Sequence, residues 1–267
     1  MNGSLAMRAK FLREVAALGL PAGPGPGAPV TEADVAGLPE PARRYLHFMG
    51  VVGRPRDWSV RARLAGRFRR SATAEWQDCQ CWQYNTRLDV ARIFHLTLKM
   101  AGFLPVLGRD TYLRGKGRML VRPFDLFTAV DGLGPEYDVG ELVTYLNDAI
   151  LLAPSLVLGP EARWSAVDQG AFDVALTDCG TTVTARVFVD ARGAVTDFST
   201  ADRFYAPGNA PPVRTRWTTP TEGWQRAGER MIPTRGQAVW QFPTGPFPYV
   251  DVAFHPEDIA FNVAPGA

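Results

Sequence analysis

The sequence predicts an α+β protein in which a large, strongly curved antiparallel sheet, or half-barrel, packs around a central helix and is preceded by N-terminal helices. Strand-like segments recur at spacings of about 8 to 12 residues with tight turns between them, which is typical of an antiparallel meander. One long segment of helical periodicity interrupts the series, which favours α+β over α/β. So many consecutive strands curl rather than stay flat, and we expect the helix to lie in the concavity.

The chain is predicted to have three parts. Residues 1–20 form an N-terminal helix, with apolar residues at helical spacing up to Gly19. Residues 21–30 are a linker rich in proline and glycine, and residues 31–267 form a single curved-sheet domain. The helix has two possible docking surfaces, its own domain or a partner protein, and we favour its own domain.

Alternation of apolar and polar residues identifies the strands. Residues 54–70 alternate apolar side chains with arginines, which indicates a half-buried strand with a basic outer face. Gly115 and Gly117 split the segment 109–121 and indicate a hairpin turn or a bulge. The other predicted strands are residues 81–88, 91–100, 163–166, 171–177, 181–189, 194–205, 213–219, 236–242, 249–254 and 259–263.

The long central helix is predicted within residues 138–159, with its body at 139–153. Asp138 stands in an N-cap position, and Glu141 follows three residues later in capping-box spacing. Pro154 ends the run. The apolar residues that recur at helical spacing are Leu142, Leu146, Ala149, Ile150 and Ala153.

Composition limits the class of protein. Hydrophobic residues make up 46% of the 267 residues, enough for a large core. The net charge of +2, with a pI near 8.5, is too small to indicate nucleic-acid binding. Three cysteines argue against a disulfide framework, and no segment reaches the roughly 18 consecutive apolar residues that span a membrane. We expect a soluble, cytoplasmic protein without an integral membrane segment, and its oligomeric state is left open.

No pattern in the sequence predicts a metal ion or a cofactor. His47, His95 and His255 lie far apart, and Cys79 and Cys81 have C-x-C rather than C-x-x-C spacing. The G-x-G sequences lack the strand-to-helix context of a dinucleotide site. No nucleophile elbow of a serine hydrolase is present. We therefore predict that the protein uses neither a metal nor a cofactor.

Four segments, in order, resemble an uncharacterised bacterial family, a domain of unknown function common in actinobacteria. They span most of the chain, from Leu38 to about Phe261. The segments are LPEPARRYL with GVVGRPR, GRDTYLRGKGRMLV, GPEYDVGELVTYL, and IPTRGQAVW with PFPY. The resemblance implies no particular activity. The strand order is also similar to that of half-barrel lipoprotein carriers, which implies a curved sheet that holds a lipid against helices.

Acid–base residues inside the predicted concavity are the candidates for catalysis. Asp148 would act as the base, with Tyr145, one helical turn earlier, as donor to a developing oxyanion. His95, on an apolar strand, and Asp110 are further candidates. Alternatively, Asp148 is a structural carboxylate that an arginine neutralises. The arginines considered as its partner are Arg109, Arg118 and Arg203.

Large side chains on the predicted strands supply a binding surface for an apolar small molecule or lipid. The residues predicted to contact it are Trp82, Tyr84, Tyr112, Arg118, Trp217, Trp240 and Tyr249. The first hypothesis is a protein that holds such a molecule between the sheet and the central helix. The second is a cofactor-independent isomerase, cyclase or hydrolase that acts on it. A protein-interaction module that uses the N-terminal helix is a third.

Overall fold

The computed structural model of the chain describes residues 2–25, 27–100, 104–206 and 211–267, with side chains from residue 7 onward except at residues 100 and 104. The α-helices in these ranges are α1 (Asn2–Ala17), α2 (Glu32–Val35), α3 (Glu40–Phe48) and α4 (Pro135–Leu152). The strands are β1 (Ser59–Phe68), β2 (Gln77–Thr86), β3 (Ala91–Met100), β4 (Leu104–Leu113), β5 (Lys116–Pro123), β6 (Val130–Leu133), β7 (Ala162–Asp168), β8 (Ala171–Asp178), β9 (Thr181–Val189), β10 (Val195–Thr200), β11 (Phe204–Tyr205), β12 (Val213–Arg214), β13 (Arg216–Thr218), β14 (Thr221–Ala227), β15 (Arg230–Phe242), β16 (Gly245–Ala253) and β17 (Ile259–Phe261).

One antiparallel sheet contains fifteen of the strands in the described ranges. Its order from edge to edge is β6-β5-β4-β3-β2-β1-β16-β15-β13-β10-β9-β8-β7, while β14 pairs with β15 and β17 with β1. Helix α4 contacts strands from both halves, including β4, β5, β9 and β15, so the sheet curves around it. Its two edges, β6 and β7, are not paired with each other, and the barrel is open. The predicted α+β half-barrel around a central helix is confirmed.

Two tight hairpin turns meet at one end of the sheet. Arg114 and Gly115, with φ of 50° and 77°, join β4 to β5, and Cys179 and Gly180, with φ of 46° and 81°, join β8 to β9. Two successive residues with positive φ are what a two-residue type I′ turn requires. A Cβ on Gly115 would lie 2.5 Å from the Cβ of Cys179, so this position also has no room for a side chain. The hairpin predicted in segment 109–121 is therefore present.

Some strands differ from the sequence prediction. The strand predicted at 54–70 is shorter, since β1 covers Ser59–Phe68. The pattern does not reveal β6 or β14, because β6 is four residues long and β14 mixes charged and glycine residues with its apolar ones. β14 pairs with the first part of β15 through Thr221 to Gly236 and Ala227 to Arg230. It thus extends the sheet beyond the main strand order.

Helix α4 begins earlier than predicted. Gly134, with φ of 124°, is its N-cap residue, and Pro135 starts the first turn. The prediction that Asp138 caps the helix is wrong, because the Asp138 carboxylate instead accepts a hydrogen bond of 2.8 Å from the backbone of Gly117. A Cβ on Gly117 would lie 2.0 Å from the carbonyl oxygen of Tyr137, so only glycine allows this approach. Asp138 therefore fastens the helix to β5.

One face of α4 is packed into the main hydrophobic core. The apolar residues predicted at helical spacing, among them Leu146 and Ile150, are buried there together with residues of β8 and β9 such as Phe172 and Val183. From α3, Tyr45 donates a hydrogen bond of 2.6 Å to the carbonyl oxygen of Ile150. This face of the helix and the second half of the sheet therefore pack against each other in one hydrophobic core.

Helix α1 lies on the outer face of the first half of the sheet. Phe11 and Val15 pack in a second cluster with Trp82 and Tyr84 of β2 and Ile93 of β3. The linker that follows α1 passes close to β1, since a Cβ on Gly23 would overlap the ring of Trp58. No helix among the described residues is long and apolar enough to cross a membrane.

Candidate ligand-binding cavity

A cavity of about 910 Å³ lies between the concave face of the sheet and the second face of α4. The helix contributes side chains three or four residues apart, which place them on one face. These helix residues are Tyr137, Glu141, Thr144, Asp148 and Leu151. The solid core lies behind the helix, so α4 divides the interior into a filled and an open half.

The inner faces of β2, β3 and β4 form transverse rows that change from polar to apolar. Pairing across the three strands gives, in order, the rows Asn85–Arg92–Tyr112, Gln83–Phe94–Asp110, Cys81–Leu96–Gly108 and Cys79–Leu98–Val106. The first row is buried, and it closes the cavity. The last row is next to the end of β3 and the start of β4, on the side of the loop 69–76, which borders the cavity together with Ala206 and Pro212. The polar groups therefore lie at the inner end.

Aromatic rings form the opposite wall. Trp240 of β15 and Tyr249 of β16 stack with ring centres 6.0 Å apart and an angle of 19° between planes. Trp217 of β13 donates its indole N–H to the Tyr249 hydroxyl at 3.2 Å. Tyr205 meets the edge of Trp240 at 5.4 Å, and Phe247 extends the wall. Burial raises the pKa of Tyr249, so its hydroxyl stays neutral.

A buried ion-pair cluster closes the inner end. Arg92 donates to Asp148 at 2.7 Å and to Glu141 at 3.0 Å. Asn85 also donates to Asp148, at 3.2 Å, and the hydroxyl of Thr144 donates to Glu141 at 3.1 Å. Burial alone lowers the pKa of the Arg92 guanidinium, but the charges of Asp148 and Glu141 outweigh burial and raise it. Arg92 therefore stays charged and holds both carboxylates.

Asp110 is the carboxyl of this region that lacks such a partner. It faces the cavity deep in the protein, and no described residue donates a hydrogen bond to it. Burial, together with the negative charge of Glu141, raises its pKa to about 7, although Arg92 and Arg203 act in the opposite direction. Near neutral pH this group is therefore present in both protonation states.

Arg203 follows β10 and reaches over the aromatic wall. Its guanidinium donates to the carbonyl oxygen of Gly140 at 2.8 Å and lies 4.8 Å from the ring centre of Trp217 and 5.5 Å from that of Trp240. Its Nε has no hydrogen-bond partner among the described residues. The stacked position is typical of a cation–π contact.

Five of the residues predicted for the site border the cavity: Asp110, Asp148, Trp217, Trp240 and Tyr249. Asp148 is nevertheless neutralised by an arginine, as in the structural alternative. Its partner is Arg92, and not one of the three arginines considered from the sequence. The role of Asp148 as a free base is thus not supported by its contacts, because Arg92 and Asn85 already donate hydrogen bonds to its carboxylate.

Four predicted residues of the first half of the sheet point away from the cavity or lie beneath it. Trp82, Tyr84 and His95 are on the outer face under α1, where His95 Nε2 lies 2.9 Å from Glu14. Burial lowers the pKa of His95 in spite of Glu14, so the imidazole is largely neutral. Tyr112 is on the inner face but donates to Asp178 at 2.7 Å, below the closed end.

Two further predicted residues are also outside the cavity. Tyr145 lies beyond the edge of the cavity face of α4; its hydroxyl is buried without a partner, and burial raises its pKa well above the usual range. Arg118 is exposed and forms two bonds of 2.8 Å with Asp131. Neither side chain can reach a molecule in the cavity.

Sequence reasoning missed four important lining residues. Arg92 is a charged side chain in an apolar strand, a pattern that signals a buried ion pair. Glu141 was assigned to a helix cap that does not form, and Arg203 only to a possible contact with Asp148. Gln83 gave no signal, since an isolated glutamine on a strand is common. Among the described residues, no three His, Cys, Asp or Glu side chains are grouped closely enough to hold a metal ion.

The chain was compared with protein families and known structures. The model of the family of unknown function DUF6544 matches residues 28–252, so the chain belongs to that family, and the resemblance predicted from its four segments is confirmed. No curated protein matches the chain.

Two solved structures are similar at low identity. A LolA superfamily protein from Nitrosomonas europaea has 14% identity and a TM-score of 0.36, and the match covers 82% of this chain and 91% of that one. A DUF1329 family protein from Desulfovibrio piger has 9% identity and a TM-score of 0.41, with 88% and 94% covered. Since neither TM-score reaches 0.5, these likenesses say nothing about what this protein binds.

Proposed function

We propose that this chain, a member of the DUF6544 family of unknown function, holds an apolar small molecule or lipid in the cavity between its curved sheet and α4. The observation that carries the proposal is the cavity itself, about 910 Å³ in volume and bordered largely by aliphatic and aromatic side chains. Sites for small molecules are typically concave and of this size, with a few polar groups among apolar ones. An apolar surface of this extent favours a bound apolar molecule over water.

The contents of the cavity can be tested with a neutral dye such as N-phenyl-1-naphthylamine, which fluoresces in apolar surroundings. We expect saturable binding to the full chain. Gly108→Trp should weaken binding at least about tenfold, because the indole would occupy the open space. Gly108 suits this change, since a Cβ there would lie 3.7 Å from the nearest atom, the carbonyl oxygen of Leu96.

Thr196→Trp is the matched control for the dye experiment. Thr196 is exposed on β10, away from the cavity, so its replacement adds the same indole without filling any space. We expect the control to bind the dye as the wild type does. Equal dye binding by the wild type and a folded Gly108→Trp would contradict the proposal.

An enzyme that acts on the bound molecule without a cofactor is a second candidate. Asp110 favours it, because a cavity-facing carboxyl with a pKa of about 7 can take up and release a proton near neutral pH. The test is to incubate the molecule extracted from the protein with fresh protein and to follow its mass and retention time. Conversion that Asp110→Asn abolishes, at unchanged melting temperature, would support the enzyme; an unaltered molecule would refute it.

Other properties stay predictions from the sequence. They are the cytoplasmic location, the independence from nucleic acid, and the absence of metal ions and cofactors from the working protein. The division of the chain into residues 1–20, 21–30 and 31–267 also stays a prediction from the sequence. None of them is needed for the binding proposal.

A further inference from the structure

The inner end of the cavity holds hydrogen-bonding groups that no described residue satisfies. We propose that the bound molecule is an amphiphile with an uncharged, oxygen-containing head group, a hydroxyl or a carbonyl, which binds at the inner end while its apolar chain extends toward the loop 69–76, Ala206 and Pro212. This inference rests on the proposed function and specifies the ligand of the same cavity.

The first support is the set of free polar atoms. Gln83 borders the cavity and is only 2% exposed, and its Nε2 has no partner among the described residues. The Nε of Arg203 is likewise buried without a partner. A buried donor without an acceptor costs free energy, commonly about 1–3 kcal/mol. A ligand oxygen that accepts from these groups would remove that cost.

The second support is the arrangement of the row that contains these groups. Gln83 and Asp110 flank Phe94 on the neighbouring strands, so their Cα atoms are about two strand spacings, or roughly 10 Å, apart. The Phe94 ring forms the floor between them, with the Arg92 guanidinium 4.7 Å from its centre. A head group the size of a hydroxyl or ester carbonyl fits between these two side chains above the ring.

The third support is the charge of the inner end. Arg92 and Arg203 bring two positive charges, and Glu141 and Asp148 bring two negative ones, so these four groups balance. Asp110 is neutral when it carries its proton, and it then acts as an additional donor. An ionised head group would leave an unbalanced charge in a mostly apolar cavity, which is costly.

The direction of the chain follows from the rows. Beyond Gln83–Phe94–Asp110 the next row is Cys81–Leu96–Gly108, and apolar residues continue to Leu98 and Val106. The aromatic wall faces these rows. An amphiphile therefore matches the cavity in one orientation, with its polar group innermost.

Protonation of Asp110 should control this binding. The charged groups that act on it are Glu141 of α4, Arg92 of β3 and Arg203, and Asp110 in turn acts on Tyr137, Tyr249 and Cys81. Asp148 borders the same cavity and pairs with Arg92. The pKa of Asp110, raised to about 7 by burial and Glu141, makes Asp110 a donor below pH 7 and a carboxylate above. We expect a ligand oxygen that accepts a hydrogen bond from Asp110 to bind more weakly as the pH rises from 6 to 8, since Asp110 then loses the proton that it donates.

The experiment compares three molecules that share a twelve-carbon alkyl chain and differ in the head group: 1-dodecanol, dodecanoate and dodecylamine. Displacement of the neutral dye from the full-length protein by each molecule is measured at pH 6. We expect dodecanol to displace it at a concentration at least about tenfold lower than either charged molecule, the factor that corresponds to one hydrogen bond and the avoided charge burial. Asp110→Asn keeps a neutral side chain of the same shape. We expect this variant to bind dodecanol, and its affinity for dodecanol should no longer depend on pH.

Gln83→Leu removes the free donor, and we expect it to weaken the binding of dodecanol about fivefold to tenfold more than the binding of the dye, which needs no donor. Gln80→Leu, on the outer face of the same strand, is its matched control and should change the binding of neither dodecanol nor the dye. Dye binding with no preference for dodecanol, or tighter binding of a charged molecule, would overturn this inference and leave the binding proposal standing. Failure of the dye to bind would instead overturn the binding proposal.

Discussion

The two faces of α4 lie in two different environments, a packed hydrophobic core and an open cavity. On one face, Leu146 and Ile150 lie in a closely packed core with β8 and β9. On the other, Glu141, Asp148 and Leu151 border open space of about 910 Å³. Glu141 and Asp148 are charged side chains on the open face, while the buried Asp138 lies outside it and accepts a hydrogen bond from the backbone of Gly117. A packed core accepts apolar groups without further partners, whereas the carboxylates of Glu141 and Asp148 need a specific counter-charge, which Arg92 provides.

The difference also separates stability from function. The packed face stabilises the fold through the burial of apolar surface, and the cavity face keeps a shape that none of the described side chains fills. Substitutions on the two faces should therefore have different effects.

Removal of Arg92 should have the largest effect. Arg92→Ala leaves the carboxylates of Glu141 and Asp148 buried without their counter-charge, and we expect a loss of about 3–5 kcal/mol in the free energy of unfolding at pH 7. Urea unfolding measures it. Arg118→Ala removes an exposed arginine with one carboxylate partner and should change stability little; equal losses would show that the cavity cluster is not a buried pair.

The same substitution on the two faces of α4 gives the most direct comparison. Leu146→Ala, at a position with 0% exposure in the packed core, should cost about 2–5 kcal/mol. Leu151→Ala, at a position that already borders the cavity, should cost only about 1–2 kcal/mol, because little new empty space is created. Thermal and urea unfolding of both variants check this. Losses of the same size would mean that the cavity is filled in solution by the protein's own side chains.

Asp110 should make the stability depend on pH. Its pKa is raised from 3.8 to about 7 in the folded state, so the folded protein binds more protons than the unfolded chain between these values. Its favourable contribution is complete below about pH 4 and is lost as the pH rises to 7. The change is at most about 4 kcal/mol, because one pKa unit corresponds to about 1.4 kcal/mol and the partial exposure of the carboxyl reduces the effect. Asp110→Asn should flatten this part of the stability profile. A variant with the wild-type profile would show that Asp110 titrates normally.

Two tyrosines provide the smallest and sharpest comparison. Tyr45 donates a hydrogen bond to the carbonyl oxygen of Ile150, and Tyr45→Phe should cost about 1 kcal/mol. The buried hydroxyl of Tyr145 has no hydrogen-bond partner in the part of the chain that the structure describes, and Tyr145→Phe should be neutral or slightly stabilising. Melting temperatures measured side by side decide this. A clear loss for Tyr145→Phe would reveal a role for its hydroxyl that the structure does not show.

The sequence was sufficient for the architecture because alternation, turns and one helical period are local signals. The turn at Gly115 and the apolar stripe through Leu146 are examples of patterns that need no knowledge of distant residues. The same alternation could not assign inside and outside on β2. Trp82 and Tyr84 are buried by α1 while Gln83 faces the cavity, so both faces of the strand are buried and the pattern has no preferred side.

The site itself depends on contacts between distant parts of the chain. Arg92 and Asp148 are separated by 56 residues, and their pairing follows from the position of α4 against β3. The spacing of Tyr145 and Asp148 suggested a shared face, but the boundary between the packed and open faces runs between them. Where a helix has two different environments, periodicity predicts that the helix has distinct faces. It does not predict which residues border the packed core and which border the cavity.

The central claim is that the open face of α4 encloses an apolar molecule. Native mass spectrometry of the full chain, purified without detergent, tests it most directly. We expect a second mass peak from a retained apolar molecule, absent from Gly108→Trp and present in Thr196→Trp. A wild-type chain that carries only its own mass and also fails to take up the neutral dye would contradict the claim, as would the same retained molecule on Gly108→Trp.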